Sequence, residues 1–317
     1  MAANIDTFLN IDSIDLAYAG LKKGSLEGEV AVIPGSTSNI GLGYARAIAW
    51  AGGKVVVSGT NEKAGAEIER VINLENAPGT AIFVKCDVTK EEEVKNLAKR
   101  AVEAFGKVDI LINNAMNMRL GSPVLGASAS LLEQSFAISG LGVLFAVNAF
   151  VPAMLERKHG VVVYSSTQFH YSPPFIGNSI YCASKAVATS MIFSLANEVG
   201  PYSESGVSVF CYLPTGVGRR DPSAAPASPG GEAPPAPKPS STGFAGPIPP
   251  EANAAGLVFC LINAEKLHRS GISTVEAFHG MKYPFPYPEA ARESKHKRLN
   301  DRELTFVFRN IGPGFSA

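Results

Sequence analysis

The sequence is poor in the features on which several classes of protein depend. Its 317 residues include only one tryptophan and four cysteines, at Cys86, Cys182, Cys211 and Cys260. These cysteines lie far apart and form no Cys-x-x-Cys pair, so they predict neither a zinc site nor a disulfide framework. We therefore expect a reducing, cytoplasmic location and no bound metal.

An excess of charge of either sign is also missing. Lys and Arg number 28, Asp and Glu number 28, and the formal net charge is zero. Surfaces that bind nucleic acid or anionic membranes need clustered Lys and Arg, so neither is an expected partner. No basic stretch precedes an apolar run at the amino terminus, which argues against a secretory signal. Hydrophobic residues make up 46% of the chain, enough for a large core, and wholesale disorder is excluded.

One long uncharged run covers residues 135–155. Its length alone would allow it to span a bilayer. However, it contains serines, glycines, an asparagine and a proline, and it lies mid-chain among alternating strand and helix signals. We expect a buried helix there rather than a membrane span.

Short β-branched runs alternate with longer helical patterns along most of the chain. We expect strands at residues 30–33, 54–58, 81–84, 109–112, 161–164 and 207–213, and helices at 41–51, 62–73, 90–105, 131–157 and 179–199. Near-continuous apolar strands are typical of parallel sheets that are covered on both faces. The alternation therefore predicts a doubly wound α/β fold with a parallel sheet.

Three stretches fall outside this alternation and leave a single domain at residues 29–280. Residues 1–28 precede the first strand, and we expect them to form a surface arm. Residues 221–250 include ten prolines, and such a segment is expected to be mobile or polyproline-like. Residues 281–317 form a carboxyl-terminal tail.

A glycine-rich turn joins the first strand to the first helix. Gly35 allows the tight turn, and Gly41 allows the helix to approach its strand and a ligand closely. Asn39 stands where a further glycine is expected, and asparagine tolerates left-handed backbone better than other side chains. Amides at a helix start favour a pyrophosphate, so the turn predicts a dinucleotide site rather than an ordinary glycine turn. The remaining turn residues expected at the cofactor are Thr37, Ser38 and Ile40.

The residues after the second strand concern the choice of nucleotide. An acidic residue there would accept hydrogen bonds from a free ribose and repel a 2′-phosphate. This chain has Gly59, Thr60 and Asn61 instead, with Lys63 nearby, so a phosphate is not excluded although no arginine is present to grip it. We expect NADP(H) in preference to NAD(H), with NAD(H) left open.

Tyr181 and Lys185 lie four residues apart at the start of a predicted helix and therefore share one face. An ammonium near a phenol favours the phenolate and lowers its pKa from about 10 toward the working range. Such a tyrosine can exchange a proton with an alcohol or carbonyl oxygen. Ser166 follows the fifth strand, at the edge of the sheet where ligands bind, and could hold the same oxygen. The alternative is a chance surface pair.

Taken in order, these residues resemble the short-chain dehydrogenase/reductase family, over about residues 26–280. The resemblance rests on Gly35–Gly43, Asp87-Val88, Asn113-Asn114-Ala115, Ser166, Tyr181 with Lys185, and Pro214-Thr215-Gly216-Val217. It implies a Rossmann-type fold with Tyr181 as acid/base, Lys185 on the nicotinamide ribose and Ser166 on the substrate oxygen. The cofactor positions that it implies are Asp87 and Val88 at the adenine, Asn114 and Ala115 at its ribose, and Pro214, Gly216 and Val217 behind the nicotinamide.

Two departures from the family pattern concern the substrate side. Ser139 stands where the family usually has a catalytic asparagine, so a proton relay there is expected to be rerouted or slower. Ser166 and Tyr181 lie fifteen residues apart, slightly more than is usual in the family. The intervening loop is aromatic, with Phe169, His170, Tyr171 and Phe175, and suits an apolar or ring-containing substrate, or else packs under a lid. The segment 221–250 would be that lid, or a linker without a catalytic part.

The expected function is an NAD(P)-dependent oxidoreductase that interconverts a small-molecule ketone and a secondary alcohol. The alternatives are reduction of a C=C bond on the same scaffold, and a dinucleotide-binding sensor without turnover. The resemblance also implies a homotetramer or homodimer, because the helices at 135–155 and 179–199 pair between subunits in that family.

Overall fold

A computed structural model describes residues 14–77, 79–116, 123–167, 178–214 and 250–281. Seven strands are found among these residues: β1 (Val30–Pro34), β2 (Lys54–Gly59), β3 (Ala81–Lys85), β4 (Ile110–Asn113), β5 (Gly160–Ser165), β6 (Val207–Leu213) and β7 (Gly271–Ser273). They form one sheet in the order β3-β2-β1-β4-β5-β6-β7, and every neighbouring pair is parallel. The doubly wound α/β fold is confirmed.

Helices connect these strands. The longer ones are α1 (Asn39–Trp50), α2 (Glu62–Glu75), α3 (Glu91–Phe105), α4 (Ala129–Phe136), α5 (Gly142–Arg157), α6 (Ser179–Glu198) and α8 (Pro250–Ile262). The shorter ones are α7 (Tyr202–Ser205), α9 (Ala264–Leu267) and α10 (Thr274–Gly280), with a 3-10 turn at Ala17–Ala19. A π-helical segment, Ala137–Leu141, joins α4 to α5 without a break.

The two faces of the sheet bury separate apolar layers. One layer is formed with α1, α2 and α8, and includes Ile33, Val57, Ile48, Ile68 and Leu257. The other is formed with α3, α5 and α6, and includes Val32, Val56, Leu97, Phe150 and Ile192. Since successive strand residues point to opposite faces, each apolar strand supplies both layers.

Helix α3 shows how the sequence sets the ends of an element. Its first turn carries Glu91, Glu92 and Glu93, whose charges favour the helix amino terminus. Gly106 ends the helix in the left-handed region, at φ 80°, where glycine is favoured. The amphipathic pattern between these ends places α3 against the sheet.

The segment before β1 differs from the surface arm that we expected. Within residues 14–28, five apolar side chains are buried and join the core around α1: Ile14, Leu16, Ala19, Leu21 and Leu26. The backbone is attached as well, because Leu26 N donates to the carbonyl of Ala51 at 2.8 Å. The expectation was wrong for this part, since irregularly spaced apolar residues can cover a core without strand or helix periodicity.

The long uncharged run lies in helices that cover one face of the sheet, but it is not fully buried. Ala129–Arg157 and Ser179–Glu198 are both long and apolar enough to cross a membrane by length and composition. Each packs one face on the sheet, and the most apolar windows are 39% and 50% buried. On α5, Phe150 and Met154 are buried, whereas Leu144 and Leu155 are exposed. The expectation of a buried helix is therefore correct for one face only. The other apolar face is exposed.

Candidate active site

The turn after β1 is held by residues that follow β4. Gly35 is left-handed at φ 82°, and a Cβ there would lie 2.6 Å from the Cα of Ala115. The side-chain amide of Asn114 donates to the carbonyl oxygen of Gly35 at 2.8 Å. Asn114 and Ala115 thus lie against the glycine turn, as the sequence suggested for a shared site.

The start of α1 is shaped for a close ligand. Asn39 adopts the left-handed backbone expected of it, at φ 48°. A Cβ on Gly41 would lie 2.4 Å from the carbonyl oxygen of Gly35, so only glycine fits. Ser38, the N-cap residue, makes no side-chain cap hydrogen bond within the described structure. The first amides of α1 therefore remain available to an anion, flanked by the half-buried Thr37 and Ile40.

The end of β2 carries one exposed side chain and one that is already engaged. Gly59 is buried against Thr37, and Thr60 is exposed. Asn61 caps α2, because its Oδ1 accepts from the amide of Ala64 at 3.1 Å. Thr60 can thus be changed without disturbing the helix cap that Asn61 forms.

Asp87 organises the loop after β3. Its Oδ1 accepts from the amide of Thr89 at 3.0 Å and from the Thr89 hydroxyl at 2.7 Å. Its own amide donates to Glu93 Oε2 at 2.8 Å. Val88, which lies between Asp87 and Thr89 in the sequence, is buried. Both residues lie at the same carboxyl edge of the sheet as the glycine turn.

Lys185 is buried under the site, one helical turn after Tyr181. Its Nζ donates to the carbonyl oxygen of Ser165 and lies 4.8 Å from the centre of the Tyr164 ring. Burial lowers the pKa of Lys185 to about 7. The ring face offers partial compensation, because a cation is attracted to the electron-rich face of an aromatic ring.

The pKa of Tyr181 does not follow the sequence-based expectation. We expected Lys185 to lower it, but burial raises the pKa of the phenol above its usual value. A hydrogen bond with the side chain of Thr167 acts in the opposite direction. The correction has a simple cause: the Lys185 ammonium is directed at the Ser165 carbonyl and the Tyr164 ring, so Thr167 is the side chain that favours the phenolate.

Ser166 lies at the end of β5, as expected, but its hydroxyl is engaged elsewhere. Its Oγ shares a 2.7 Å hydrogen bond with Oγ1 of Thr189 on α6. Its amide donates to the carbonyl of Tyr212 at 2.8 Å. Thr167, the next residue, contributes to the pKa of the Tyr181 phenol, and the expected role of Ser166 at the substrate oxygen stays a prediction. No motif in the sequence distinguishes these adjacent hydroxyls.

Ser139 lies in the π-helical segment and is buried. Such one-turn π segments are frequent at functional sites. Ser139 interacts with the buried hydroxyl of Tyr164, and this contact partly offsets the rise that burial causes in the pKa of Tyr164. The contact is not a hydrogen bond of regular geometry. The sequence analysis did not single out Tyr164, because it lies in an apolar strand and has the pattern of a core residue.

Other predicted parts of the site lie wholly or partly outside the described residues. Pro214 follows β6 and is half-buried, but Gly216 and Val217 are not described. The aromatic loop, the proline-rich segment up to residue 249 and the tail beyond residue 281 also lie outside the described ranges. Their expected roles stay predictions.

The fold and this edge of the sheet define an α/β oxidoreductase scaffold. Residues 29–221 match the family model described as short chain dehydrogenase. The chain belongs to this family, so it is an enzyme that acts on CH–OH or C=O groups. The family uses NAD(P) as its cofactor.

Named relatives agree with this assignment. An uncharacterized oxidoreductase of Staphylococcus saprophyticus is 31% identical over 191 residues, covering 60% of this chain and 78% of that protein. Secoisolariciresinol dehydrogenase of Forsythia intermedia is 29% identical, covering 62% and 69%. A solved structure of 7α-hydroxysteroid dehydrogenase, complexed with NADH and 7-oxo glycochenodeoxycholic acid, superposes with a TM-score of 0.66 over 78% of this chain and 93% of that one. At 22% identity, this last likeness concerns the fold.

Proposed function

We propose that the protein interconverts a ketone and a secondary alcohol, with Tyr181 as the acid/base and NADP(H) as the favoured cofactor. The observation that carries the proposal is the placement of Tyr181 and Lys185 one turn apart, at the carboxyl edge of the sheet and beside a hydroxyl at the end of β5. Supporting names among the relatives include secoisolariciresinol dehydrogenase and a tropinone reductase-like protein of Erythroxylum coca, which is 29% identical.

The residues present fit a dinucleotide. The open amides of α1 and the close approach at Gly41 suit a pyrophosphate. Asp87 and Val88 would meet the adenine, Asn114 and Ala115 its ribose, and Pro214, Gly216 and Val217 the nicotinamide. When bound, the nicotinamide supplies or accepts a hydride equivalent.

Side chains of the protein itself transfer the proton. In the reductive direction Tyr181 donates its phenolic proton to the substrate oxygen, and in oxidation the phenolate takes that proton back. The neutral phenol is the form that reduction needs, and burial favours it. A protonated Lys185 nearby would stabilise the phenolate left behind. The Tyr164 ring lies 4.8 Å from Lys185 Nζ, and its hydroxyl interacts with Ser139, which we propose as part of a proton relay.

The substrate is proposed to be a small molecule that is apolar or ring-containing, and the site of action is proposed to be the cytoplasm. The described cysteines are all free and buried, which agrees with a reducing compartment. Absorbance of the reduced nicotinamide, followed over a panel of ketones, conjugated enones and alcohols with each cofactor, tests the proposal. Turnover of enones alone would favour C=C reduction instead, and binding without any turnover would favour a sensor.

Cofactor preference can be tested at Thr60, whose side chain is exposed. We expect Thr60→Arg to tighten NADPH about tenfold, equal to about 1.4 kcal/mol, because a guanidinium pairs with a phosphate. Thr60→Glu should weaken NADPH by a similar factor through charge repulsion. Dissociation constants from nicotinamide fluorescence are the measurement. NADH, which lacks the 2′-phosphate, and Thr60→Ser serve as controls; equal shifts for NADH and NADPH would contradict this placement of the phosphate.

We further propose that α5 and α6 form the contact with a second copy of the chain, giving a homodimer or homotetramer. Leu141 and Leu144 are 46% and 40% exposed, and a groove of about 230 Å³ between the two helices is lined partly by Val147, Met191 and Leu195. A monomer would leave this apolar face in water.

Leu144→Asp is expected to break this contact, since it places a carboxylate in an apolar interface. Light scattering after size exclusion should show a smaller assembly than the wild type, with an unchanged circular dichroism spectrum. Leu74→Asp is the matched control, because Leu74 is 72% exposed on α2, away from this face. A wild-type monomer at micromolar concentration would contradict the proposed assembly.

A further inference from the structure

The ammonium of Lys185 is buried against the ring of Tyr164, an aromatic residue near the end of β5. We propose that Tyr164 is a positioning residue, whose ring face holds the Lys185 ammonium one helical turn from Tyr181 and keeps it charged. This inference rests on the proposed function, because the two roles considered for Lys185, contact with the nicotinamide ribose and stabilisation of the phenolate, both need a cation at a fixed place.

The contact has the geometry of a cation–ring interaction. Nζ of Lys185 lies 4.8 Å from the centre of the Tyr164 ring, within the range of about 6 Å over which the ring quadrupole attracts a cation. The two side chains are 2% and 1% exposed, and such a contact is stronger where water is excluded. Nζ also donates to the carbonyl oxygen of Ser165, the residue after Tyr164. Two consecutive residues of β5 therefore hold the ammonium, one through its ring and one through its backbone.

The described residues around Lys185 supply no negative charge to balance its ammonium. The titratable groups near it are Tyr164 on β5, Cys211 on β6 and Tyr181, one turn earlier on its own helix. Burial raises the pKa of all three above their usual values, so all three are neutral near neutral pH. A buried cation without an anionic partner is costly. The ring of Tyr164 and the Ser165 carbonyl are the groups that reduce this cost.

The position of Tyr164 in β5 places an aromatic ring where α6 brings its lysine. The strand is aliphatic at Val161, Val162 and Val163, and Tyr164 belongs to the apolar layer formed with α5 and α6. Lys185 reaches the same layer from α6. An aliphatic side chain at position 164 would also fill the layer, but it would offer the ammonium only alkyl groups. The ring is therefore the feature of this residue that acts on the charge.

The expected effect of removing the ring follows from the protonation of Lys185. Burial lowers the pKa of Lys185 to about 7, and the ring opposes burial because it favours the charged form. Replacing Tyr164 with leucine should lower this pKa by about one further unit, which corresponds to about 1.4 kcal/mol. The ring thus stabilises the fold below about pH 7, where the folded lysine is charged, and this contribution is lost as the pH rises above that value.

A double-mutant cycle tests the contact without any turnover. Urea denaturation of the wild type, Tyr164→Leu, Lys185→Met and the double variant, at about pH 6 and about pH 9, gives the coupling between the two positions. At the lower pH we expect Tyr164→Leu to reduce the folding equilibrium constant at least about fivefold more in the wild-type background than in the Lys185→Met background. At the higher pH the folded lysine is neutral, and this difference should be less than about 1.5-fold.

Two controls separate the ring from the hydroxyl and from packing. Tyr164→Phe keeps the ring face and removes the hydroxyl, so its coupling to Lys185→Met should stay below about twofold at both pH values. Phe150→Leu removes a buried ring of the same layer on α5 and should show no pH-dependent coupling. With a ketone that the wild type reduces, the alkaline limb of kcat should move about one unit to lower pH in Tyr164→Leu. In Tyr164→Phe it should stay within about 0.3 unit of the wild type.

Three results would overturn the inference. Equal coupling at both pH values would mean that Tyr164 only packs against Lys185, and no coupling would mean that the ring does not act on the lysine. A coupling in Tyr164→Phe as large as in Tyr164→Leu would assign the effect to the hydroxyl. The cycle reports on the contact even if the wild type shows no turnover, a result that would count against the proposed function alone.

A second series of variants covers the case in which Tyr164→Leu does not fold. Phenylalanine derivatives with an increasing number of ring fluorines at position 164 keep nearly the same shape, while fluorine weakens the ring quadrupole. The pKa of Lys185, obtained from the pH dependence of stability, should fall with each added fluorine. A constant pKa across the series would contradict the role of the ring.

Discussion

Tyr181→Phe is expected to lower kcat for ketone reduction by about 10²- to 10⁴-fold, the usual contribution of a positioned general acid. The change removes one oxygen and leaves the ring in place. The phenol is the group that is hydrogen-bonded to Thr167, and burial keeps it protonated. Without it the substrate oxygen has no acid at this position, although the dinucleotide site at the other strands is untouched.

The measurement is steady-state turnover together with a cofactor titration. The dissociation constant for NADPH should stay within a few-fold of the wild type, which separates loss of chemistry from loss of folding. Tyr202→Phe is a suitable control, because Tyr202 lies on the short helix α7 near the amino-terminal end of β6, at the opposite edge of the sheet. Wild-type turnover in Tyr181→Phe would contradict the acid/base role, and no turnover in either protein would leave cofactor binding as the function to explain.

The sequence predicted the central sheet well because each strand is a short apolar run between clear helical patterns. All six expected strands are present, and their bounds differ by at most one residue at either end. Strand β7 and helices α7, α8, α9 and α10 were not predicted. Gly271–Ser273 is only three residues long, and no periodic pattern marks it. Its place is set by pairing with β6, which is a tertiary contact that no local pattern reveals.

The site was predicted from motifs, and the described residues of these motifs lie at the carboxyl edge of the sheet. What they could not supply is the direction of each side chain. Ser166 was expected at the substrate oxygen because it follows a strand, and the structure adds that its hydroxyl contacts Thr189, 23 residues further along the chain. The charge of Lys185 suggested a lowered pKa for Tyr181, but burial raises that pKa and the Lys185 ammonium is directed at the Ser165 carbonyl. Both findings concern packing, which depends on residues distant in sequence.

Lys185→Met is expected to abolish most turnover and yet to stabilise the fold at neutral and lower pH. The Lys185 side chain is 2% exposed, so its charged form is held away from water. Replacing a buried charge with an apolar side chain of similar length is often stabilising, by about 1–4 kcal/mol. The variant loses the donor to the Ser165 carbonyl, which opposes part of this gain. The loss of turnover follows from the proposed role of Lys185 in holding the nicotinamide ribose one helical turn from Tyr181.

The pH dependence of the difference in stability between Lys185→Met and the wild type is the sharper test. Its sign follows from proton binding. The pKa of Lys185 falls from 10.5 to about 7 in the fold, so between these values the unfolded chain binds more protons than the folded one. Wild-type stability at this residue therefore rises with pH across that window, by about 1.4 kcal/mol per pH unit at most. Below about pH 7 the folded lysine is charged and the full penalty applies.

The stability advantage of Lys185→Met over the wild type should therefore be largest at about pH 6 and should shrink toward about pH 9. Urea denaturation at both pH values measures it. Lys185→Arg is the matched control, because a guanidinium stays charged throughout and should become less stable than the wild type as the pH rises. A constant difference between Lys185→Met and the wild type would mean that Lys185 keeps an ordinary pKa. The same residue would then be free to act as a permanent cation, and the stabilisation of the phenolate would not depend on the pH of the cell.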